Sequence, residues 1–347
     1  TDTPELRLFG DGNTWQSIVG ASALLWIVHF LILRGVQTAA SINLVATLAK
    51  LLPLGLFVVL AMMMFKLDTF KLDFTGLALG VPVWEQVKNT MLITLWVFIG
   101  VEGAVVVSAR ARNKRDVGKA TLLAVLSALG VYLLVTLLSL GVVARPELAE
   151  IRNPSMAGLM VEMMGPWGEI IIAAGLIVSV CGAYLSWTIM AAEVPFLAAT
   201  HKAFPRIFAR QNAQAAPSAS LWLTNICVQI CLVLIWLTGS DYNTLLTIAS
   251  EMILVPYFLV GAFLLKIATR PLHKAVGVGA CIYGLWLLYA SGPMHLLLSV
   301  VLYGPGLLVF LYARKTHTHD NVLNRQEMVL IGMLLIASVP ATWMLVG

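Results

Sequence analysis

The chain has 347 residues, of which 60% are hydrophobic and only 11% charged, with a mean hydropathy of +0.91. Soluble domains carry about 25% charged residues, so this composition excludes a soluble globular protein and defines a polytopic membrane protein. The net charge of +5 is not a nucleic-acid surface, because its basic residues sit at the ends of apolar segments.

The chain opens on a polar stretch, Thr1 to Thr14, without an initiator methionine. It reads as an external loop of a chain that begins partway through a longer protein. A spanning helix needs roughly 20 mostly apolar residues. Ten segments qualify: 15–34, 39–65, 88–109, 118–144, 166–199, 217–238, 244–267, 275–291, 294–313 and 328–346. The fifth is long enough to tilt or to run on beyond the bilayer. Between the fourth and fifth, Asn153-Pro154-Ser155 is a cap for a short external helix through Met164. After the fifth, His201 to Arg210 reads as a re-entry or surface helix around Phe204-Pro205.

Alternate connections set the orientation. Fifteen of the 22 lysines and arginines fall on one side, among them Arg34, the run Arg110 to Lys119, Lys202 to Arg210, and Arg314-Lys315. The other side holds six, and Lys50 lies within a span. The fifteen mark the cytoplasmic side, which leaves Thr1 and the C-terminus outside.

Ionisable groups inside hydrocarbon are costly and mark function by default. The sharpest case is Gly100-Val101-Glu102-Gly103-Ala104 in the third span. Two glycines bracket a carboxylate, and glycine weakens a helix. One reading is a broken helix with a charge at the break, as secondary transporters build a midplane site. The other is a glycine pair for helix packing beside a paired glutamate. On a continuous helix, Trp96 and Ile99 would share the face of Glu102. Lys50 is about ten residues from either end of its span, a long reach for snorkelling. It should face the bundle as a proton carrier, a fixed cation in place of a metal ion, or a permanently paired structural lysine. Glu251 stands before Pro256, which removes a backbone donor and frees a carbonyl. It faces a cavity or pairs with Lys50 or a loop arginine. Glu193, before Pro195, reads as a gate or capping contact at the membrane edge. His29 reads as a satisfied core histidine, and Trp187 as packing unless a cavity faces it. Cys181, Cys227, Cys231 and Cys281 read as buried thiols, with no metal or cofactor implied.

Trp96-Val97-Phe98-Ile99-Gly100-Val101-Glu102-Gly103-Ala104 with Ser108-Ala109-Arg110 resembles the sixth helix of the amino acid–polyamine–organocation transporters. Leu254-Val255-Pro256-Tyr257 resembles their tenth helix, and Phe204-Pro205-Arg206-Ile207-Phe208-Ala209-Arg210 the loop after their eighth. Phe9 to Thr14, Leu33-Arg34-Gly35, Asn153 to Gly158 and Trp222 to Asn225 resemble the basic amino acid antiporter branch. The resemblance runs along essentially the whole chain. It implies an all-α, five-plus-five inverted-repeat fold in which residues 15–34 match helix four and 328–346 helix thirteen, with helices one to three absent. The whole of 1–347 is then one transmembrane domain. Residues 1–14 form an external loop, 15–65 the end of the first repeat, 88–267 the second repeat and 275–347 the extra helices.

The resemblance also implies roles. Trp96 corresponds to the occluding tryptophan, Ile99 to its neighbour, and Glu102 to the glutamate of gating and pH sensing. The backbone at Gly100 and Val101 would cradle the substrate amino group. Trp187 lines the pocket, Tyr257 is an inner-gate tyrosine, and Lys50 replaces bound sodium. Ser250 stands in a serine-rich pocket region. Glu251 departs from the small or apolar residue of the family and adds an acidic contact. The implied activity is exchange of cationic amino acids across the bacterial inner membrane, arginine against ornithine, with lysine as a further substrate and a homodimer as a compatible assembly. The competing readings are a proton-coupled symporter of lysine or a neutral amino acid, and a sensor subunit that binds without transporting. No metal motif, nucleophile motif or filter signature points to an enzyme or a channel.

Overall fold

The computed structural model describes residues 12–72, 74–108, 111, 113–151, 154–239, 242–317, 323 and 325–346. The described residues form helices and turns, without a strand. The long helices are α1 (Trp15–Leu33), α2 (Val36–Met64), α6 (Lys114–Val142), α9 (Pro166–Thr200), α10 (Ser218–Thr238), α11 (Tyr242–Ile267), α12 (Pro271–Ser291), α13 (Pro293–His317) and α14 (Arg325–Val346). Shorter pieces stand between them: α3 (Leu67–Lys71), α4 (Val83–Phe98), α5 (Gly103–Val106), α7 (Arg145–Glu150) and α8 (Ser155–Met164). Seven helices among the described residues are long and apolar enough to cross a membrane. All ten expected spans contain helix. The third differs in kind, because it stops at Phe98 and restarts at Gly103.

Local chemistry sets several boundaries. Thr14 caps α1 by accepting the Ser17 N–H at 3.3 Å. Helix α8 ends at Gly165, whose φ of +72° suits glycine, and Pro166 opens α9 at the position where its missing N–H is harmless. The short helix expected through Met164 is therefore present, capped at Pro154 without a side-chain bond, while Asn153 lies outside the described residues. The expected surface helix after α9 is one 3₁₀ turn, Arg206–Ala209.

Helix α9 is the central strut. One side packs Leu185, Ile189 and Ala192 with Val28 and Ile32 of α1 and Leu221 of α10. Its Ile172 joins Phe57 and Ala61 of α2 and Ala157, Leu159 and Met160 of α8. Small residues let α2 and α9 approach: a Cβ on Gly182 would stand 2.7 Å from the Cβ of Ala46, and one on Gly175 would strike the Pro53 ring. A third cluster joins Leu95 of α4, Leu254 of α11 and Leu287 of α12.

Loop contacts agree with the charge-derived alternation of ends. Asn212 donates to the Leu33 carbonyl at 2.7 Å, and Arg206 donates to His317 Nδ1 at 3.1 Å, so α1, α9 and α13 finish at one end. The opposite end joins Asn13 to the Gly239 carbonyl and the Lys66 N–H to Gly141. Arg110 and Arg112 of the basic run lie outside the described residues. Arg314 of α13 pairs with Glu327 of α14 at 2.7 Å, a partly exposed bridge worth under about 1 kcal/mol.

Two expectations change. Cys181, Cys227 and Cys231 are exposed on outward faces and Cys281 is half-buried, so the thiols are not core residues. Lipid is as apolar as a protein core, so hydropathy does not separate the two. His29 is fully buried and its Nδ1 lies 2.7 Å from Asn225 Nδ2, but its Nε2 has no hydrogen-bond partner among the described residues. Its ring meets Trp26 and Trp222 edge-on instead, with centroids 5.2 and 4.3 Å away.

Candidate functional site

The site begins where α4 ends. Ile99 is extended, with φ −61° and ψ 130°, and Gly100 adopts φ +105°. Residues other than glycine are strained there. A Cβ on Gly100 would also stand 3.0 Å from Cζ2 of Trp187, so the indole lies directly on the break. Gly103 faces α9 too, where a Cβ would meet Met190 Sδ at 2.5 Å. The glycine pair therefore serves both readings at once. Gly100 breaks the helix and Gly103 permits close packing.

The break also corrects the helix-face argument. Trp96, Ile99 and Glu102 do not lie along one continuous helix, because the 3.6-residue period ends at Phe98. Glu102 instead turns back, and its Oε2 accepts the Gly100 N–H at 2.9 Å. Its Oε1 accepts the Tyr257 hydroxyl at 3.1 Å. One carboxylate thus ties the break to α11.

A helix end leaves carbonyls without partners. Here the Trp96 carbonyl takes the Ile99 N–H at 3.1 Å and the Phe98 carbonyl the Val101 N–H at 3.3 Å. The Val97 carbonyl takes the Tyr132 hydroxyl of α6 at 2.9 Å. The carbonyls of Ile99 and Val101 accept no hydrogen bond from the described residues. The break therefore presents bare acceptors beside a carboxylate, a set suited to an ammonium group.

Gly100, Val101, Glu102, Trp187 and Tyr257 are brought together. Trp96 is half-buried in the last turn of α4, and Ile99 is the first residue of the break. Glu251 is buried on α11, on the N-terminal side of Pro256. Ser250 is fully buried, and its hydroxyl donates to the Leu246 carbonyl of its own helix at 2.9 Å. Lys50 is half-buried on α2, and no hydrogen bond or ion pair forms at it among the described residues. Glu193 is buried on α9, two residues before Pro195.

Tyr132 and Tyr303 were not singled out by the sequence. Tyr303 of α13 donates to the Met252 carbonyl at 2.9 Å. The only signal for either was a tyrosine inside an apolar span.

Helices α4 and α5 flank a charged break, and α9 and α11 close on it, which is the build of a membrane transporter. Residues 5–335 match the amino acid permease family, and the chain belongs to it. A protein of Pseudomonas aeruginosa named arginine/ornithine antiporter is 44% identical over 327 residues, covering 88% of this chain and 68% of the relative. An arginine/agmatine antiporter of Chlamydia caviae is 39% identical, covering 95% of this chain and 72% of its own length. A putative amino-acid transporter of Clostridium perfringens is 38% identical, with 94% and 73% covered. The protein is thus a multi-pass membrane transporter of the amino acid permease family, and not an enzyme.

Proposed function

We propose that the protein exchanges cationic amino acids, arginine against ornithine, by alternating access around the break. The observation that carries this is Glu102, a carboxylate at a helix break that accepts two hydrogen bonds and forms no ion pair among the described residues. A carboxylate without a counter-cation in low dielectric attracts one strongly. The similarity to relatives named arginine/ornithine and arginine/agmatine antiporters supports a dibasic substrate.

In this reading the Ile99 and Val101 carbonyls hold the substrate amino group. Trp187 walls the pocket, and Trp96 covers the aliphatic stem when the site is occluded. Glu102, with buried Glu251, draws the distal cation. The Glu102–Tyr257 bond is a lock between the break and α11 that opens and re-forms as the helix sets rock. Ser250 backs the pocket from α11, and Lys50 occupies the place of a bound cation on α2. Arginine and ornithine carry equal charge, so their exchange is nearly electroneutral and is driven by their own gradients. The division into a closing first repeat, a second repeat and extra helices belongs to the same proposal, as does a homodimer, which cross-linking in native membranes tests.

The function is tested with the protein reconstituted into liposomes. Labelled arginine is followed into vesicles loaded with ornithine, with agmatine, or with buffer alone. Strong uptake with ornithine inside and little into empty vesicles is the expected result. A preference for agmatine changes the partner. Equal uptake everywhere, rising with an imposed proton gradient, replaces exchange with proton symport.

A further inference from the structure

Pro256 lacks an N–H, so in a regular α-helix the carbonyl four residues earlier loses its partner. That residue is Met252, next to Glu251. The Tyr303 hydroxyl, reaching across from α13, donates to the Met252 carbonyl at 2.9 Å. It supplies the donor that the missing N–H would have been. At Pro195 of α9 the carbonyl four residues earlier is that of Ala191, and Thr224 Oγ1 of α10 lies 3.2 Å from it while also 3.0 Å from the Ser220 carbonyl of its own helix, so the single hydroxyl proton is shared there. Pro256 thus stands in α11 between two groups of the site. Glu251 precedes the proline, and Tyr257, which holds Glu102, follows it.

We propose that Tyr303 is a positioning residue for the substrate site. By filling the hydrogen bond that Pro256 removes, it fixes the course of α11 and so the placement of Glu251 relative to the Glu102–Tyr257 pair. It also keeps the Met252 carbonyl from offering the substrate a competing acceptor. A helix outside the site thereby sets how well a dibasic amino acid fits between the two carboxylates. The inference rests on the reading of the site given above.

The distinguishing experiment is a cycle with Tyr303→Phe and Pro256→Ala. The alanine restores the N–H at position 256, which then serves the Met252 carbonyl from within the helix. In proteoliposomes, Tyr303→Phe is expected to raise the half-saturation concentration for arginine about five-fold, the loss of one hydrogen bond's worth of fit. The rate at saturation changes little. With Pro256→Ala present, the same substitution changes half-saturation by less than about two-fold. An unchanged half-saturation in the parent, or an equal shift in both backgrounds, overturns the inference. If Pro256→Ala itself abolishes transport, the cycle is read on melting temperature in detergent. Tyr303→Phe must then lower it only while the proline is present, and equal lowering in both backgrounds overturns the inference. Failure of the parent protein to exchange arginine defeats the substrate reading, and the melting cycle still decides the Tyr303–Pro256 coupling.

Discussion

Two interrupted helices meet at the site, and they are interrupted by opposite means. Between Phe98 and Gly103 the helix stops, the backbone passes through φ +105° at Gly100, and a new turn begins. At Pro256 helix α11 runs through, losing one donor. Among the described residues the glycine break leaves the Ile99 and Val101 carbonyls bare, whereas the proline-freed carbonyl of Met252 is closed by a tyrosine. In the reading proposed above, the first interruption makes a place for a ligand and the second aims the groups around it. Backbone polar groups in lipid must be satisfied by protein unless they line a water-filled space, and this sets the two carbonyls at the break apart from that of Met252.

The contrast breaks most severely at Gly100. Alanine there combines a positive φ, costing about 1–3 kcal/mol, with a Cβ 3.0 Å from Trp187. Gly100→Ala is expected to abolish exchange, and a variant that folds and transports normally contradicts the local strain. Glu102→Gln comes next. Losing the charge removes one to two orders of magnitude in apparent arginine affinity, taking a charged hydrogen bond as about 1.5–3 kcal/mol. Initial rates of exchange across an arginine concentration series check it, and an unchanged half-saturation refutes the role. Tyr132→Phe removes the hydroxyl from the Val97 carbonyl and is expected to cost about 1 kcal/mol of stability. Thr224→Val removes a hydroxyl that lies 3.2 Å from the Ala191 carbonyl and 3.0 Å from the Ser220 carbonyl and takes no part in the Glu102–Tyr257 bond. It should lower the melting temperature slightly and leave arginine half-saturation unchanged.

Much of this was legible beforehand. Hydropathy alone picks out ten segments that contain helix, seven of them matched by helices long and apolar enough to cross a membrane among the described residues, and two glycines flanking a glutamate in an apolar run made a broken helix one of two readings. The alternation of basic residues fixed which loops share an end, and Arg206 meeting His317 agrees with it. What could not be read was tertiary. Assigning Trp96, Ile99 and Glu102 to one face required a helix that Gly100 does not continue. The outward cysteines were misplaced because an apolar run looks alike toward lipid and toward core. Tyr132 and Tyr303 carry no local pattern, since their partners lie 35 and 51 residues away on other helices. The freed carbonyl at Pro256 was foreseeable; the hydroxyl that fills it was not.

The central claim is that Glu102 joins substrate binding to the position of α11 through Tyr257. The most direct measurement is a double-mutant cycle on arginine half-saturation in exchange, using Glu102→Gln, Tyr257→Phe and both together. Strong non-additivity is expected, with the double variant about as impaired as Glu102→Gln alone, because the Tyr257 hydroxyl acts through the Glu102 charge that the glutamine already removes. Fully additive effects would contradict it and leave the two residues acting independently.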